Sequence, residues 1–382
     1  MRATTETWAG RVVLMATHFA GMIDLVALPV WVGALIAEYK FDPPHAGGLA
    51  TLFLLGAVLS SVVFASRFNR VSKRIAAASG FALAALAFLG AAFVSAYPAL
   101  AALHGVAGAA AGCGLSMTHG TIGRSVNPHR LFAIVGAALG VLAIVFLGAT
   151  PNLIAAFGGS ALFKVFAGVM AVAAALAAMG FPDAPRRSEE DLIAEMGHLP
   201  REVWFGVGGV SCMALTQAMM FSFVQNIGTE RGFSAEAVTG VLIGLGFVNL
   251  TPNPLAAWLE KRISANVVVL VGPIVQALLV VAITRASGFV AYAAPTLVFA
   301  AVMIFTHNFA FGLLSKLDPT ARALAGTPAM LMIGAAIGPV LGGVLVQAFG
   351  FGSLGLAAIV IAFIAVTLFS QARAPSPVPK AA

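Results

Sequence analysis

The chain contains few charged residues: Asp, Glu, Lys and Arg make up 9% of its 382 residues, whereas apolar residues make up 60%. The mean hydropathy is +0.99. Ordinary soluble domains carry about 25% charged residues, so this composition lies outside their range. It excludes a typical soluble domain and indicates a chain that lies mostly within a lipid bilayer.

Cysteine is also scarce, since the chain has only Cys113 and Cys212, each within a long apolar run. Two isolated cysteines predict neither a disulfide bond nor a zinc site, and we interpret both as small residues that pack helices. The sequence also lacks a glycine-rich phosphate loop and a Gly-x-Ser-x-Gly nucleophile elbow in a suitable context. We therefore expect no enzyme, no cofactor, no metal site and no nucleotide domain of the kind that an ATP-driven pump requires.

Twelve apolar runs fill most of the chain, and each is long enough to cross a hydrocarbon core of about 30 Å as a helix. They are too long and too continuous for the strands of a membrane barrel. The predicted fold is an all-α membrane protein with twelve transmembrane helices. The predicted spans, numbered helix 1 to helix 12, are 12–36, 46–66, 75–95, 98–122, 130–157, 161–181, 204–227, 235–257, 265–284, 287–313, 321–347 and 351–371. Thr251-Pro252-Asn253-Pro254 predicts a break near the inner end of helix 8.

The basic side chains are distributed unevenly between the loops. When the N-terminus is placed in the cytoplasm, seventeen of the twenty-one Lys and Arg residues fall on the cytoplasmic side. The positive-inside rule describes this asymmetry. It predicts a multi-pass protein of the plasma membrane (a bacterial-type inner membrane) with both termini cytoplasmic. Because topology accounts for the net charge of +7, we expect a lipid bilayer and no nucleic acid as partner.

The longest polar segment divides the apolar runs six and six. It predicts two pseudo-symmetric six-helix bundles, residues 1–181 and 204–371, with a cytoplasmic linker at 182–203 and a cytoplasmic tail at 372–382. Short patterns recur in the same order in both halves. Thr118-His119 in helix 4 matches Thr306-His307 in helix 10, and Gly136-Ala137-Ala138-Leu139-Gly140 in helix 5 matches Gly334-Ala335-Ala336-Ile337-Gly338 in helix 11. Such internal repeats are typical of transporter folds.

The loop after helix 2 reads Ala65-Ser66-Arg67-Phe68-Asn69-Arg70-Val71-Ser72-Lys73-Arg74. Together with the two halves and the central linker, this loop resembles the signature of the major facilitator superfamily, which is of Gly-x-x-x-Asp-Arg-x-Gly-Arg-Arg type. The basic residues are kept, whereas both glycines and the acidic residue are replaced. The resemblance implies that the loop clamps neighbouring helices and helps to set the balance between inward-open and outward-open states.

The resemblance therefore implies gating roles for Arg70 and Arg74 in the first half. In the second half, Glu260 is expected to supply the corresponding charge contact together with Lys261 and Arg262. Helix 11 contains Gly338-Pro339-Val340-Leu341-Gly342-Gly343, which resembles a motif that proton-driven exporters of the superfamily usually carry in helix 5. Gly338 and Pro339 are accordingly predicted to permit close helix packing and a bend.

One acidic residue, Asp24, lies in the middle of an apolar run, in predicted helix 1. A charge at the bilayer centre costs about 3 kcal/mol or more, so it is kept only where it meets a cavity, a partner or a proton. Thr17 and Trp31 lie on the same helical face and suit a cavity wall. We interpret Asp24 as the proton-coupling residue and Thr17 and Trp31 as substrate-binding residues. A structural carboxylate that bonds a neighbouring helix is the alternative.

In the superfamily, helices 1, 4, 7 and 10 line the central cavity. The histidines within predicted helices all fall on these helices: His18, His104, His119 and His307. This placement favours His119 and His307 as substrate-binding residues, with Gln217 and Asn308 as orienting groups. Hydrogen bonding between helices is the alternative for each of them.

These features predict a secondary active transporter that works by alternating access as a monomer. The stretch from Phe19 to Trp31 resembles the exporter-like branch, which implies proton-coupled export (antiport) of a small amphiphilic metabolite or drug. Two alternatives stay open. One is proton-coupled uptake of a small organic acid bound by His119 and His307, and the other is a receptor or scaffold that keeps the fold without transporting.

Overall fold

The computed structural model describes residues 4–183, 199–318 and 327–372. For residues 65, 66, 129 and 327–329 it describes only the backbone. Most of the predicted linker, residues 184–198, and the predicted tail from residue 373 onward lie outside the described residues.

Twelve helices within the described residues are long and apolar enough to cross a membrane, as predicted. Their bounds are Trp8–Ala37 (α1), Pro43–Ser66 (α2), Lys73–Ala91 (α3), Tyr97–Ile122 (α4), Pro128–Phe157 (α5), Ser160–Gly180 (α6), Arg201–Glu230 (α7), Ala235–Leu259 (α8), Ala265–Arg285 (α9), Phe289–Leu317 (α10), Thr327–Phe349 (α11) and Gly352–Gln371 (α12).

Helix α8 is interrupted between its two segments, Ala235–Val248 and Pro252–Leu259. Pro252 and Pro254 lack the N–H groups that would continue the backbone hydrogen bonds of the first segment. The break predicted at Thr251-Pro252-Asn253-Pro254 is therefore confirmed.

The first six helices pack against one another, and so do the last six. The two bundles meet along three helix pairs: α1 with α7, α2 with α11, and α5 with α8. Each helix of the first half has a counterpart six helices later, so α8 corresponds to α2 and α11 corresponds to α5. The contact between α2 and α11 is therefore the symmetric equivalent of the contact between α5 and α8. The interface therefore has the pseudo-two-fold symmetry expected of two related halves.

Because successive helices alternate in direction, their connections lie on two opposite faces. We call the face that carries both ends of the described chain the terminal face, and the opposite one the far face. The connections on the terminal face include 67–72, 123–127 and 260–264, and those on the far face include 38–42, 92–96 and 286–288.

Candidate functional site

Asp24 lies near the middle of α1 and is completely buried. Neither carboxyl oxygen has a hydrogen-bond partner on another helix within the part of the chain that the structure describes. A buried polar group without a partner costs about 1–3 kcal/mol, and a charged one costs more. The carboxyl group is therefore least costly in its neutral, protonated form. The structure thus places within the membrane-spanning region a group whose charge depends on gaining or losing a proton.

Helix α4 runs antiparallel to α1 and packs against it near Asp24. Gly21 packs directly on α4, because a Cβ at Gly21 would lie 2.8 Å from the Cβ of Leu115. A small residue at this position lets the two helices approach closely one turn before Asp24.

His18 of α1 and His119 of α4 form a direct pair, with Nδ1 of His18 2.9 Å from Nε2 of His119. At this distance one ring nitrogen donates its proton to the other ring nitrogen. His18 is buried, whereas His119 is partly exposed and also meets the ring of Phe132 in α5. The sequence predicts both residues on cavity helices but not their pairing, since one helix pattern does not identify its neighbour.

Trp31 lies in the core of the first bundle, where its side chain is 1% exposed. Its indole ring stacks on His104 at a centroid distance of 5.5 Å and meets the rings of Phe53, Phe88 and Phe166 edge-on. The sequence predicts Trp31 on a cavity wall, but the structure places it in the core of the bundle instead. The helical face was identified from its spacing, but at this depth it is turned towards α2, α3, α4 and α6.

Thr17 is also turned inwards. Its hydroxyl group is fully buried and donates to the backbone oxygen of Val13, at 2.9 Å, within its own helix. This bond uses the hydroxyl proton, so Thr17 offers no free donor to a ligand in this conformation.

The second bundle carries a polar pair near the middle of its helices, Gln217 in α7 and Gln276 in α9. Gln276 is 1% exposed, and its Nε2 donates to Oε1 of Gln217 and to the backbone oxygen of Met213, both at 3.2 Å. Gln217 itself is partly exposed. The sequence predicts a role for Gln217 but none for Gln276, because a single amide in an apolar run forms no pattern.

His307 and Asn308 lie in the part of α10 that approaches the terminal face. Nδ2 of Asn308 donates to Oδ1 of Asn253, at 2.8 Å, in the second segment of α8. The ring of His307 lies 4.9 Å from that of Phe311, and its Nδ1 is buried without a partner among the described residues. The two symmetric histidines, His119 and His307, therefore have different ring neighbours.

The residues of the loop signature, which extends into the start of α3, contact the ends of two helices at the terminal face. Arg74 donates from Nε to the backbone oxygen of Ala178, at 2.8 Å, near the end of α6. This contact satisfies a carbonyl group that the helix end leaves free. Arg70, in contrast, is exposed and forms no side-chain hydrogen bond with a described residue.

Asn69 occupies the acidic position of the loop signature and still accepts a hydrogen bond, from Nη1 of Arg124 just after α4. The ring of Phe68 lies beneath the cationic groups of Lys73 and Arg124, at 4.7 and 4.3 Å. Cation–π contacts and a neutral acceptor therefore hold this loop where the signature would use a carboxylate.

The charge contact expected in the second half is not formed. The guanidinium group of Arg262 lies over the ring of Trp258, at 4.4 Å. Glu260 is exposed and pairs with no cation within the described ranges. Glu260 follows the last residue of α8 directly, and Arg262 contacts an aromatic ring in place of a carboxylate.

The two bundles are in backbone contact near the far face. A Cβ at Gly47 of α2 would overlap the backbone oxygen of Pro339 in α11, and a Cβ at Gly343 of α11 would overlap that of Pro43 in α2. We call these four residues the far-face clamp. Beside it, Oγ1 of Thr51 accepts a hydrogen bond of 3.2 Å from the N–H of residue 340.

Gly338 belongs to a second contact of α11, directed at its own bundle. Gly334, Gly338 and Gly342 form a stripe on α11, and a Cβ at any of them would overlap atoms of α7. The prediction that Gly338 and Pro339 serve close helix packing agrees with this geometry, since small residues let helix backbones approach.

A cavity of about 360 Å³ lies on the far face beside the clamp, and it is lined by Ile36, Asn226 and Glu230 together with Pro43 of the clamp. Between this cavity and the middle of the protein, Gly33 of α1 packs on the amide of Gln225 in α7. These contacts hold the two bundles together in the far half. Four polar side chains are partly exposed from the middle of the protein towards the terminal face: His119, Gln217, His307 and Asn308.

Comparisons with known proteins agree with this architecture. The structure of a bacterial homologue of the human lysosomal transporter Spinster, in an inward-facing and unoccupied conformation, superposes with a TM-score of 0.73 at 14% identity, covering 96% of this chain and 98% of that one. A D-xylose–proton symporter gives a TM-score of 0.71 at 16% identity, covering 94% of this chain and 97% of that one. No curated protein sequence matches significantly. These similarities show the fold. A family profile described as Major Facilitator Superfamily matches residues 13–321, so the chain belongs to this superfamily of membrane transporters.

Proposed function

We propose that the protein is a secondary active transporter that couples proton movement to the export of a small amphiphilic metabolite or drug. The observation that carries the proposal is the completely buried carboxyl group of Asp24, which has no partner on another helix. Such a group contributes no hydrogen bond to the packing of the helices and costs stability. A role in carrying protons explains why it is present in a membrane-spanning helix.

The pair of His18 and His119 supports a proton route to this carboxyl group. His119 is partly exposed and lies near the terminal face, and His18 lies about 9 Å along α1 from Asp24. Imidazole rings in contact can pass a proton between their nitrogens. We infer that the pair forms the outer step of this route, between water at the terminal face and the interior of the first bundle.

Unequal packing towards the two faces of the protein supports alternating access. The far-face clamp closes one side, whereas polar side chains are partly exposed towards the other. The fold similarity to an inward-facing relative supports the assignment of this conformation as open towards the terminal face. Transport requires a second conformation, in which the clamp separates.

The chemistry of helices α1, α4, α7 and α10 supports the proposed cargo. Away from their ends, these helices carry amides, imidazoles and one carboxyl group but no Lys or Arg to bind an anion, which favours neutral or cationic cargo over an organic acid. The distribution of basic residues supports a cytoplasmic terminal face in a bacterial-type inner membrane. Export by proton antiport, by a monomer, is consistent with both.

Everted membrane vesicles test this proposal. Respiration acidifies their lumen and quenches a trapped pH dye, and an antiporter should restore the fluorescence when a compound from a panel of amphiphilic drugs and sugars is added. Asp24→Asn should abolish the response, whereas Asp42→Asn, in a far-face loop, should keep it. Compound-driven acidification of the lumen would instead show symport. Folded protein that moves no protons with any compound would favour a receptor or scaffold.

A further inference from the structure

The orientation of two amides near the middle of the second bundle is fixed by chemistry. The backbone oxygen of Met213 can only accept, so Gln276 must turn its amino group towards it. The same amino group also reaches Gln217, which must therefore present its oxygen to Gln276. Because Gln276 is 1% exposed, no water competes for this arrangement.

The amino group of Gln217 is left facing away from Gln276. Gln217 is partly exposed on α7, and its nitrogen is not among the buried polar atoms that lack a partner. Gln276 therefore converts an amide that could present either a donor or an acceptor into one that presents two N–H donors.

We propose that Gln217 is a binding site for an acceptor oxygen of the cargo, such as a carbonyl, ether or hydroxyl oxygen, and that Gln276 is its positioning residue. This inference rests on the proposed transport function and specifies its cargo. Cargo with an acceptor oxygen is selected over cargo that offers only N–H donors. Gln276 acts only through the orientation of Gln217 and touches no cargo.

Two probes of matched shape test the inference: N,N-dimethylbenzamide, which has an acceptor oxygen, and N,N-dimethylbenzylamine, which is a donor-only ammonium ion at neutral pH. Their binding to the purified full chain in lipid nanodiscs is measured by saturation-transfer NMR. The wild type should prefer the amide, and Gln217→Leu should remove that preference. Gln276→Leu should weaken amide binding about three- to tenfold, as expected for one hydrogen bond.

Gln276→Glu distinguishes positioning from a merely structural role. A glutamate has at most one O–H proton, so it cannot donate to both Met213 and Gln217. It accepts from Gln217 instead, which turns the oxygen of Gln217 towards the cargo, and the preference should reverse in favour of the ammonium probe. Leu278→Ala, on the exposed side of α9, is the matched control and should leave the preference unchanged.

The inference is overturned if the wild type binds neither probe or prefers the ammonium ion, or if Gln276→Glu leaves the preference unchanged in folded protein. These outcomes are separate from the transport test. If amide binding depends on Gln217 but no proton flux is measured, the proposed transport function is rejected and the proposed binding site at Gln217 is retained. Proton flux with an unchanged probe preference would reject the site alone.

Discussion

At the scale of single residues, the substitution Asp24→Asn distinguishes a proton-carrying carboxyl group from a structural one. The amide of Asp24→Asn has the size and polarity of the neutral acid but cannot ionise. If the carboxyl group makes no structural hydrogen bond, its replacement should change the free energy of unfolding by less than about 1 kcal/mol. Proton flux should nevertheless be lost. Unfolding in mixed micelles and dye-monitored flux are the two measurements, and destabilisation well beyond that limit would indicate a structural role.

The contact between His18 and His119 predicts an energetic coupling. In a double-mutant cycle with His18→Leu and His119→Leu, the two effects on unfolding should deviate from additivity by about 0.6 kcal/mol, and by no more than about 1.7 kcal/mol. His104→Leu is the control partner, because His104 bonds the backbone of its own helix at Leu100. Additive effects for the His18 and His119 pair would remove the proposed proton step.

Sequence alone identifies which residues are chemically unusual but not what they face. Asp24, His119 and Gln217 stand out because polar groups are costly in apolar runs. The direction of Trp31 could not be obtained in this way, since a helical period fixes a face and leaves its neighbour open. Gln276 was missed for a related reason: its importance comes from Met213 and Gln217, which lie on another helix.

At the scale of helices, hydropathy predicts the elements well because the bilayer fixes their length. The predicted span 161–181 is the helix Ser160–Gly180, and the predicted break of α8 at its two prolines is present. The contacts between helices are harder to predict. They depend on where glycines meet carbonyl groups of another helix, as Gly47 meets Pro339, and no local pattern contains that information.

The far-face clamp gives a prediction for α2 and α11. Gly47→Ala or Gly343→Ala adds a methyl group where a backbone oxygen already lies, so the far half should no longer close completely. A cysteine introduced by Gln225→Cys should then react faster with a membrane-impermeant maleimide added at the far face. The native cysteines, Cys113 and Cys212, are first replaced by alanine.

Gly105→Ala is the matched control, because a Cβ at Gly105 meets no atom within 4 Å. It should leave the labelling rate at its original value. Equal labelling in the clamp variants and the control would show that the glycine contacts do not hold the far half closed.

At the scale of the whole molecule, the two symmetric interfaces differ in what touches. The α2–α11 interface brings glycine against backbone oxygen, whereas α5 and α8 meet through side-chain tips. A Cβ at Gly140 would lie 2.6 Å from Cδ2 of Leu250, and one at Gly246 would lie 2.7 Å from Cγ1 of Ile144. Side-chain tips adjust when helices tilt, but a backbone contact either forms or separates. We therefore expect the bundles to rock about α5 and α8 while α2 and α11 part.

Disulfide cross-links distinguish these two roles. Thr51→Cys with Val340→Cys joins the helices beside the clamp, where the hydroxyl of Thr51 already meets the backbone of α11, and oxidation should stop proton flux by holding the far half closed. Gly148→Cys with Ile243→Cys joins α5 to α8 at the expected pivot, where oxidation should leave most of the flux. Flux in proteoliposomes is measured before and after reduction. Flux that survives the first cross-link, or is abolished by the second, would contradict a rocking motion about this axis, because the far half must open for cargo to leave.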